Sequence, residues 1–230
     1  PASLLHIINF ESFILKYPIM ANGVAVENIE KKETVKIIYA RRAVRKYKDK
    51  PVDRKLIEQV LDAGRMAPSA MNKQPWQFYV LTKRDTIQSF SAEIAGVALK
   101  GILKSGISGM KQVIKTAAGL LHFPHGIDLH ALKDPVFYGA PVVIFLTAPR
   151  GSEWAALDIG MCSQNIMLAA KSAGLDTCPV GFGKYVENTK IYYRLHVPAT
   201  EEVRLAIIMG YGDESPEMHE RIRDNVLFID

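Results

Sequence analysis

The run Val142-Val143-Ile144-Phe145-Leu146-Thr147, entered through Pro141, is the strongest constraint on how this chain folds. A strand with one wet face alternates apolar and polar residues. A run that is apolar at nearly every position must be covered on both sides. The chain therefore needs a sheet whose central strand is buried between two layers. Residues 203–209 form a second apolar strand. A third is expected at 77–82, where Phe78 and Val80 face one way and Tyr79 and Leu81 the other, and a short fourth at 176–181.

Helical patterns fill the intervals. Residues 27–40 carry Ile29, Val35, Ile37 and Ile38 on a helical period. Lys50-Pro51 ends that stretch. Asp53 suits the N-cap of a helix whose face is Leu56, Ile57, Val60, Leu61 and Gly64, and the helix must stop before Pro68. Residues 85–100 bring Ile87, Phe90, Ile94 and Val97 into phase. Residues 153–172 form the strongest helix, closed by Gly174. Its small residues Ala155, Ala156, Gly160, Ala169, Ala170 and Ala173 allow a close helix neighbour, in the core or at a subunit interface. A further helix is expected over 187–195, stopped by Pro198. Residues 101–135, rich in glycine and holding His122, His125 and His130, are expected to combine a helix with a mobile loop. After Gly210-Tyr211-Gly212 the chain becomes a polar extended tail ending in Val226-Leu227-Phe228-Ile229.

This order does not alternate as a doubly wound fold would. No G-x-G-x-x-G follows a first strand, and G-x-x-x-x-G-K-[ST] is absent, which argues against a Rossmann site and a P-loop. The class is α+β with one mixed central sheet flanked by helices. A single domain over 27–230 is expected, preceded by an N-terminal extension over 1–26, with Met20 close to the start of the domain proper. That extension lacks a basic start and a small-residue cleavage site, so it is a poor signal peptide. No run of 18 apolar residues offers a membrane span.

The net charge of +5 permits nucleic-acid binding. Basic residues nevertheless alternate with acids at 27–36 and 214–224, and a small anionic ligand accounts for the balance equally well. The two cysteines, Cys162 and Cys178, form no metal-type pair and point to a reducing, cytoplasmic compartment. The three histidines have no carboxylate or cysteine pattern around them, so no metal site is assigned. Ser69 lacks a histidine and aspartate pattern for nucleophilic catalysis.

Two stretches carry possible chemistry. Arg41-Arg42-Ala43-Val44-Arg45 puts three guanidiniums within five residues. Arginine offers a planar fork of donors that matches phosphate. Alone, such a cluster describes a solvated face as readily as an anion cradle. Ala67-Pro68-Ser69-Ala70-Met71-Asn72-Lys73-Gln74-Pro75-Trp76 joins a helix to a strand. Its Ser, Asn and Gln could satisfy the loop's own turns, or their mixed donors and acceptors could meet the edge of a flavin ring.

Together, and in this order, the two stretches resemble the nitroreductase family of FMN-dependent oxidoreductases. Later pieces agree: Gly139-Ala140-Pro141, Asp158-x-Gly160 followed by Gln164-Asn165, Pro179-Val180-Gly181-Phe182, and a tail bearing Arg221-x-Arg223. The resemblance spans roughly residues 35–229. It implies that Arg41, Arg42, Ala43 and Arg45 hold the FMN phosphate and one edge of the cofactor. Ala43 stands where the family often has Ser, which leaves a backbone contact. Pro68, Ser69, Asn72 and Gln74 would reach FMN from a partner subunit. Pro179, Val180 and Gly181 would pack on the flavin, and Arg221 and Arg223 would return to the phosphate.

The implied protein is a homodimer with FMN at the subunit interface. NADH or NADPH would be the reductant, and a nitro compound or quinone the acceptor, by ping-pong hydride transfer. No acid–base side chain is required, so no catalytic residue is assigned. Dehalogenation or flavin modification on the same fold is the alternative within the class, and a basic nucleic-acid-binding module the alternative outside it.

Overall fold

A computed structural model of the chain describes residues 32–104 and 134–229. The extension over 1–26, the three histidines and most of the expected loop over 101–135 lie outside the described residues. The chain divides into two units, Pro1–Lys36 and Ile37–Asp230. Of the first, only Lys32–Lys36 are described.

The secondary structure begins with α1 (Glu33–Ala40), none of whose residues is buried. Helix α2 (Arg54–Arg65) starts where the Asp53 side chain accepts the backbone N–H of Lys55, a cap worth about 1 kcal/mol. It buries Ile57, Val60, Leu61 and Gly64 and ends before Pro68. Strand β1 (Gln77–Leu81) follows, then α3 (Arg84–Lys104), β2 (Val142–Pro149), α4 (Ala155–Ser172), β3 (Asp176–Val180) and β4 (Glu201–Gly210). Gly174 closes α4 with a φ of +76°.

The four strands lie in the order β1-β2-β4-β3. The apolar run of β2 is central, as its composition demands, and pairs with β1 on one side and β4 on the other. Its side chains alternate between two cores. Val142, Ile144, Leu146 and Ala148 join a cluster with α2 and α4. Val143 and Phe145 join the opposite cluster, with Ile87, Phe90 and Ile94 of α3. In β1, Phe78 and Val80 pack on the first cluster and Tyr79 and Leu81 on the second.

The class is α+β, and two details of the sequence reading change. All three pairings within the four-stranded sheet are antiparallel. Among the described residues, parallel pairing is confined to an isolated bridge, Ala43 to Thr177, so the sheet is mixed only at that point. The helix expected over 187–195 is replaced by two 3₁₀ helices, Gly181–Asn188 and Tyr192–Leu195. Close approach to β4 explains the change. A Cβ at Gly183 would sit 2.3 Å from the Cβ of Ala206, so the backbone lies directly on the strand. The Thr189 hydroxyl then donates to the Val186 carbonyl at 2.7 Å. His196, left-handed at φ +54°, ends the second turn ahead of Pro198.

Candidate active site

The arginine cluster leaves the end of α1 and is clipped to the sheet. Ala43 bridges Thr177 of β3, and the N–H of Val44 donates to the Thr177 carbonyl at 3.1 Å. Val44 is buried, so the chain is anchored between its arginines. Further along, Tyr47 bridges Gly212, and the Tyr47 hydroxyl donates to the Val44 carbonyl at 2.6 Å. The segment thus runs beside β3 and the exit of β4.

The three guanidiniums do different work. Arg42 turns back on α1: its Nη1 donates to the Tyr39 and Arg41 carbonyls, satisfying groups that a helix end leaves open. Its Nε is buried without a partner. The Arg45 guanidinium donates to the Ala43 carbonyl over a long 3.5 Å. Among the described residues, none of Arg41, Arg42 and Arg45 is in an ion pair. Three guanidiniums outside any ion pair, one carrying an orphaned donor, fit an anionic group such as a phosphate.

Beside this segment lies a cleft of about 380 Å³ over Pro179, Val180 and Gly181. Arg45 and Lys184 line it, together with Tyr138, Cys178, Phe182 and Tyr185. The lining holds two cations, three aromatic rings and no carboxylate. The rings of Phe182 and Tyr185 lie 5.9 Å apart, and Lys184 Nζ stands 5.4 Å from the Tyr185 centroid. Burial raises the Tyr138 pKa, and Arg45 opposes the rise. Burial also pushes up the Cys178 thiol, against the pull of Arg45 and then Arg41. A planar, anionic, partly apolar ligand fits this lining.

Sequence reading missed Tyr138, Cys178, Lys184 and Tyr185 as cleft residues. Tyr138 sits in a turn at φ +56°, beside Gly139 at +71°. The buried carboxylate of Asp134 holds that turn by accepting from the N–H groups of Phe137, at 2.9 Å, and Gly139, at 3.0 Å. Asp134-Pro135 ahead of Tyr138-Gly139 was the available signal.

The second stretch forms a tight projecting loop. The Ser69 hydroxyl accepts the N–H of Gln74 at 2.9 Å, and Gln74 Nε2 donates to Asn72 Oδ1 at 3.0 Å. Met71, Asn72 and Gln74 are left-handed, with φ of +53°, +53° and +46°. Pro68, Asn72 and Gln74 are exposed. The flanking residues Ala67 and Trp76 belong to the α2–α4 cluster, whereas Tyr138, Phe182 and Tyr185 of the cleft belong to the opposite one. The loop also leads into β1, at the far edge of the sheet from β3. Three strand spacings make that separation about 14 Å. Within one chain the loop and the cleft do not meet.

The root of the tail is tied to the cradle. Asp213 donates its N–H to the Lys46 carbonyl at 2.8 Å, and the Glu214 carboxylate accepts the N–H of Arg45. Arg221 and Arg223 lie beyond, exposed and outside the cleft lining.

Comparison with known proteins agrees with this picture. A 4-nitrobenzoate reductase from Pseudomonas putida is 32% identical over 197 residues, covering 78% of this chain and 85% of the relative. Two solved structures share the fold. A nitroreductase with bound FMN from Bacteroides fragilis NCTC 9343 has a TM-score of 0.66 at 22% identity, covering 86% of this chain and 99% of its own. An FMN and NADPH-dependent nitroreductase from Sphigopyxis sp. strain HMH gives the same four values. The model of the Nitroreductase family matches residues 38–211, and the chain belongs to that family.

Proposed function

We propose that this protein is an FMN-dependent NAD(P)H oxidoreductase that reduces aromatic acceptors, nitro compounds or quinones, as a homodimer. The observation that carries this reading is the cluster of three guanidiniums outside any ion pair among the described residues, with the orphaned Nε of Arg42, beside an aromatic cleft. Arg41 and Arg45 bind the phosphate, with Arg42 contributing its free donor and Ala43 a backbone contact. Pro179, Val180 and Gly181 support the ring, and the exposed Gly181 backbone can approach it, since no heavy atom lies within 4 Å of a Cβ built there. When bound, FMN supplies the two-electron redox chemistry. The cations favour an anionic ring, and the aromatic walls exclude water. Arg221 and Arg223 fold back toward the phosphate from the tail. NADH or NADPH and the acceptor use the same open face in turn, which gives ping-pong kinetics.

The separation of loop and cleft supports the homodimer. In this reading Pro68, Ser69, Asn72 and Gln74 complete the cleft of a second copy. Helix α4 offers an apolar stripe for that contact: Trp154, Leu157 and Met161 are 47%, 51% and 38% exposed, and a Cβ at Gly160 would meet nothing. The free, buried thiols Cys162 and Cys178 suit a reducing compartment such as the cytoplasm.

The absorption spectrum of the purified protein tests the reading, with flavin bands expected near about 370 and 450 nm, brought by the cofactor. These should bleach on adding NADH or NADPH and recover on adding a nitroaromatic compound. A colourless protein that fails to take up added FMN would refute it.

A further inference from the structure

Asp158 is a carboxylate in an apolar place. It lies on α4, only 3% exposed, one turn from the buried Ala155 and one from the buried Cys162. Burying a carboxylate costs stability unless hydrogen bonds offset it, and an apolar side chain would serve the packing there. Its Oδ1 accepts the N–H of Ala70 at 3.0 Å, across 88 residues of sequence.

That bond meets a loop in need of support. Met71, Asn72 and Gln74 all occupy the left-handed region that non-glycine residues adopt at a cost. Ser69 with Gln74, and Asn72 with Gln74, tie the loop to itself. Among the described residues, the bond from Ala70 to Asp158 is the only hydrogen bond from residues 69–74 to the rest of the fold. The helix that provides it also carries the exposed stripe Trp154, Leu157 and Met161.

We infer that Asp158 is a positioning residue: through Ala70 it fixes the Ser69–Gln74 loop relative to the outer face of α4, so that the loop's polar side chains enter the cleft of a second copy. This rests on the dimeric FMN reading above. Asp158 touches neither the cofactor nor the acceptor. Its effect passes through the loop.

Lys73 makes the loop testable without flavin, because it is exposed and trypsin cleaves after lysine. Two measurements on the purified holoprotein are compared: the rate of tryptic cleavage after Lys73, and the dissociation constant of FMN from its fluorescence on dilution. Asp158→Ala is expected to raise both about tenfold, and Asp158→Asn, which keeps an acceptor oxygen, to stay within about twofold of the parent. Cleavage elsewhere in the described fold should not change.

If Asp158→Ala does not fold, Ala70→Pro removes the same bond from the loop side. Ser69, at φ −143° and ψ 156°, already has the extended conformation required before proline, and faster cleavage after Lys73 is expected again. Unchanged cleavage in the variant that folds, or an Asp158→Asn protein as impaired as Asp158→Ala, would overturn the inference. A parent that binds no FMN but shows the predicted cleavage pattern would overturn the cofactor reading and leave the loop assignment standing.

Discussion

The Arg41–Arg45 segment and the Ser69–Gln74 loop are both short, polar and irregular, yet they are built in opposite ways. The first is held by the sheet. Ala43 and Val44 take up the edge of β3, Tyr47 takes up Gly212, and none of the three guanidiniums is in an ion pair among the described residues. The second is held by itself, with left-handed residues, internal side-chain bonds and a single tie to α4. A segment clipped to a strand edge works where the strand is. A loop that stands away from its own fold can reach a different molecule. In the dimeric reading, one chain supplies two parts of a site that its own sheet keeps apart.

The largest expected effect breaks the first half. Arg41→Ala combined with Arg45→Ala removes donors whose charge-assisted bonds are worth ~1.5–3 kcal/mol each, so FMN affinity should fall by roughly a hundredfold or more. Neither guanidinium is in an ion pair among the described residues, so the thermal midpoint should hardly move. Flavin content after gel filtration and a melting curve check both. Full flavin retention would refute the phosphate assignment.

Gly183→Ala strikes the cleft through packing instead. The new methyl meets Ala206 side chain and backbone at 2.3 and 2.9 Å. Overpacking of this kind costs about 1–3 kcal/mol. Thermal denaturation should register that loss, while cleavage after Lys73 stays at the parent rate, because the loop is on the other side of the sheet.

Mixing tests the division between copies. The Arg41→Ala, Arg45→Ala chain has an intact loop, and an Asn72→Ala, Gln74→Ala chain has an intact cradle. If the loop serves a second copy, unfolding and refolding the two together should restore parent-like FMN affinity to about a quarter of the sites, those completed in mixed dimers. No recovery above the separate proteins would mean that the loop acts within its own chain or has no part in binding.

The smallest effect concerns the two thiols, one on each side of the sheet. Burial pushes Cys162, on α4 against α2, from the ordinary 9.0 up to about 12, with Arg65 opposing. Cys178 is raised by burial and drawn back by Arg45 and Arg41. The folded state keeps the Cys162 proton over a range where the unfolded chain has lost it. Stability is therefore unaffected below about pH 9 and falls as the pH rises from there toward 12. Denaturant titrations from pH 8 to 11 should show this decline. Alkylation near pH 8 should label Cys178, which lines the cleft, faster than Cys162, and bound FMN should slow that labelling.

Periodicity made most elements legible. The apolar run of β2, the Asp53 cap and the phase of Ile87, Phe90 and Ile94 each report a local physical requirement, and each is met. The expected helix over 187–195 failed because its backbone conformation is decided by contact. Gly183 lies against Ala206, and residues that read as helical wind into 3₁₀ turns instead. Tyr138 and Lys184 were invisible for a similar reason, since a side chain becomes part of a cleft only when distant elements close around it.

By itself the sequence determined the class, the buried strand and two polar stretches of distinctive chemistry, because spacing and residue type act over a few neighbouring positions. Only the tertiary structure decided that these stretches lie on opposite sides of one sheet. The order β1-β2-β4-β3 follows from long-range pairing, which no local pattern encodes. It also decided that Asp158 reaches Ala70, because a buried carboxylate finds its partner through the packing of α4 and not through its place in the chain.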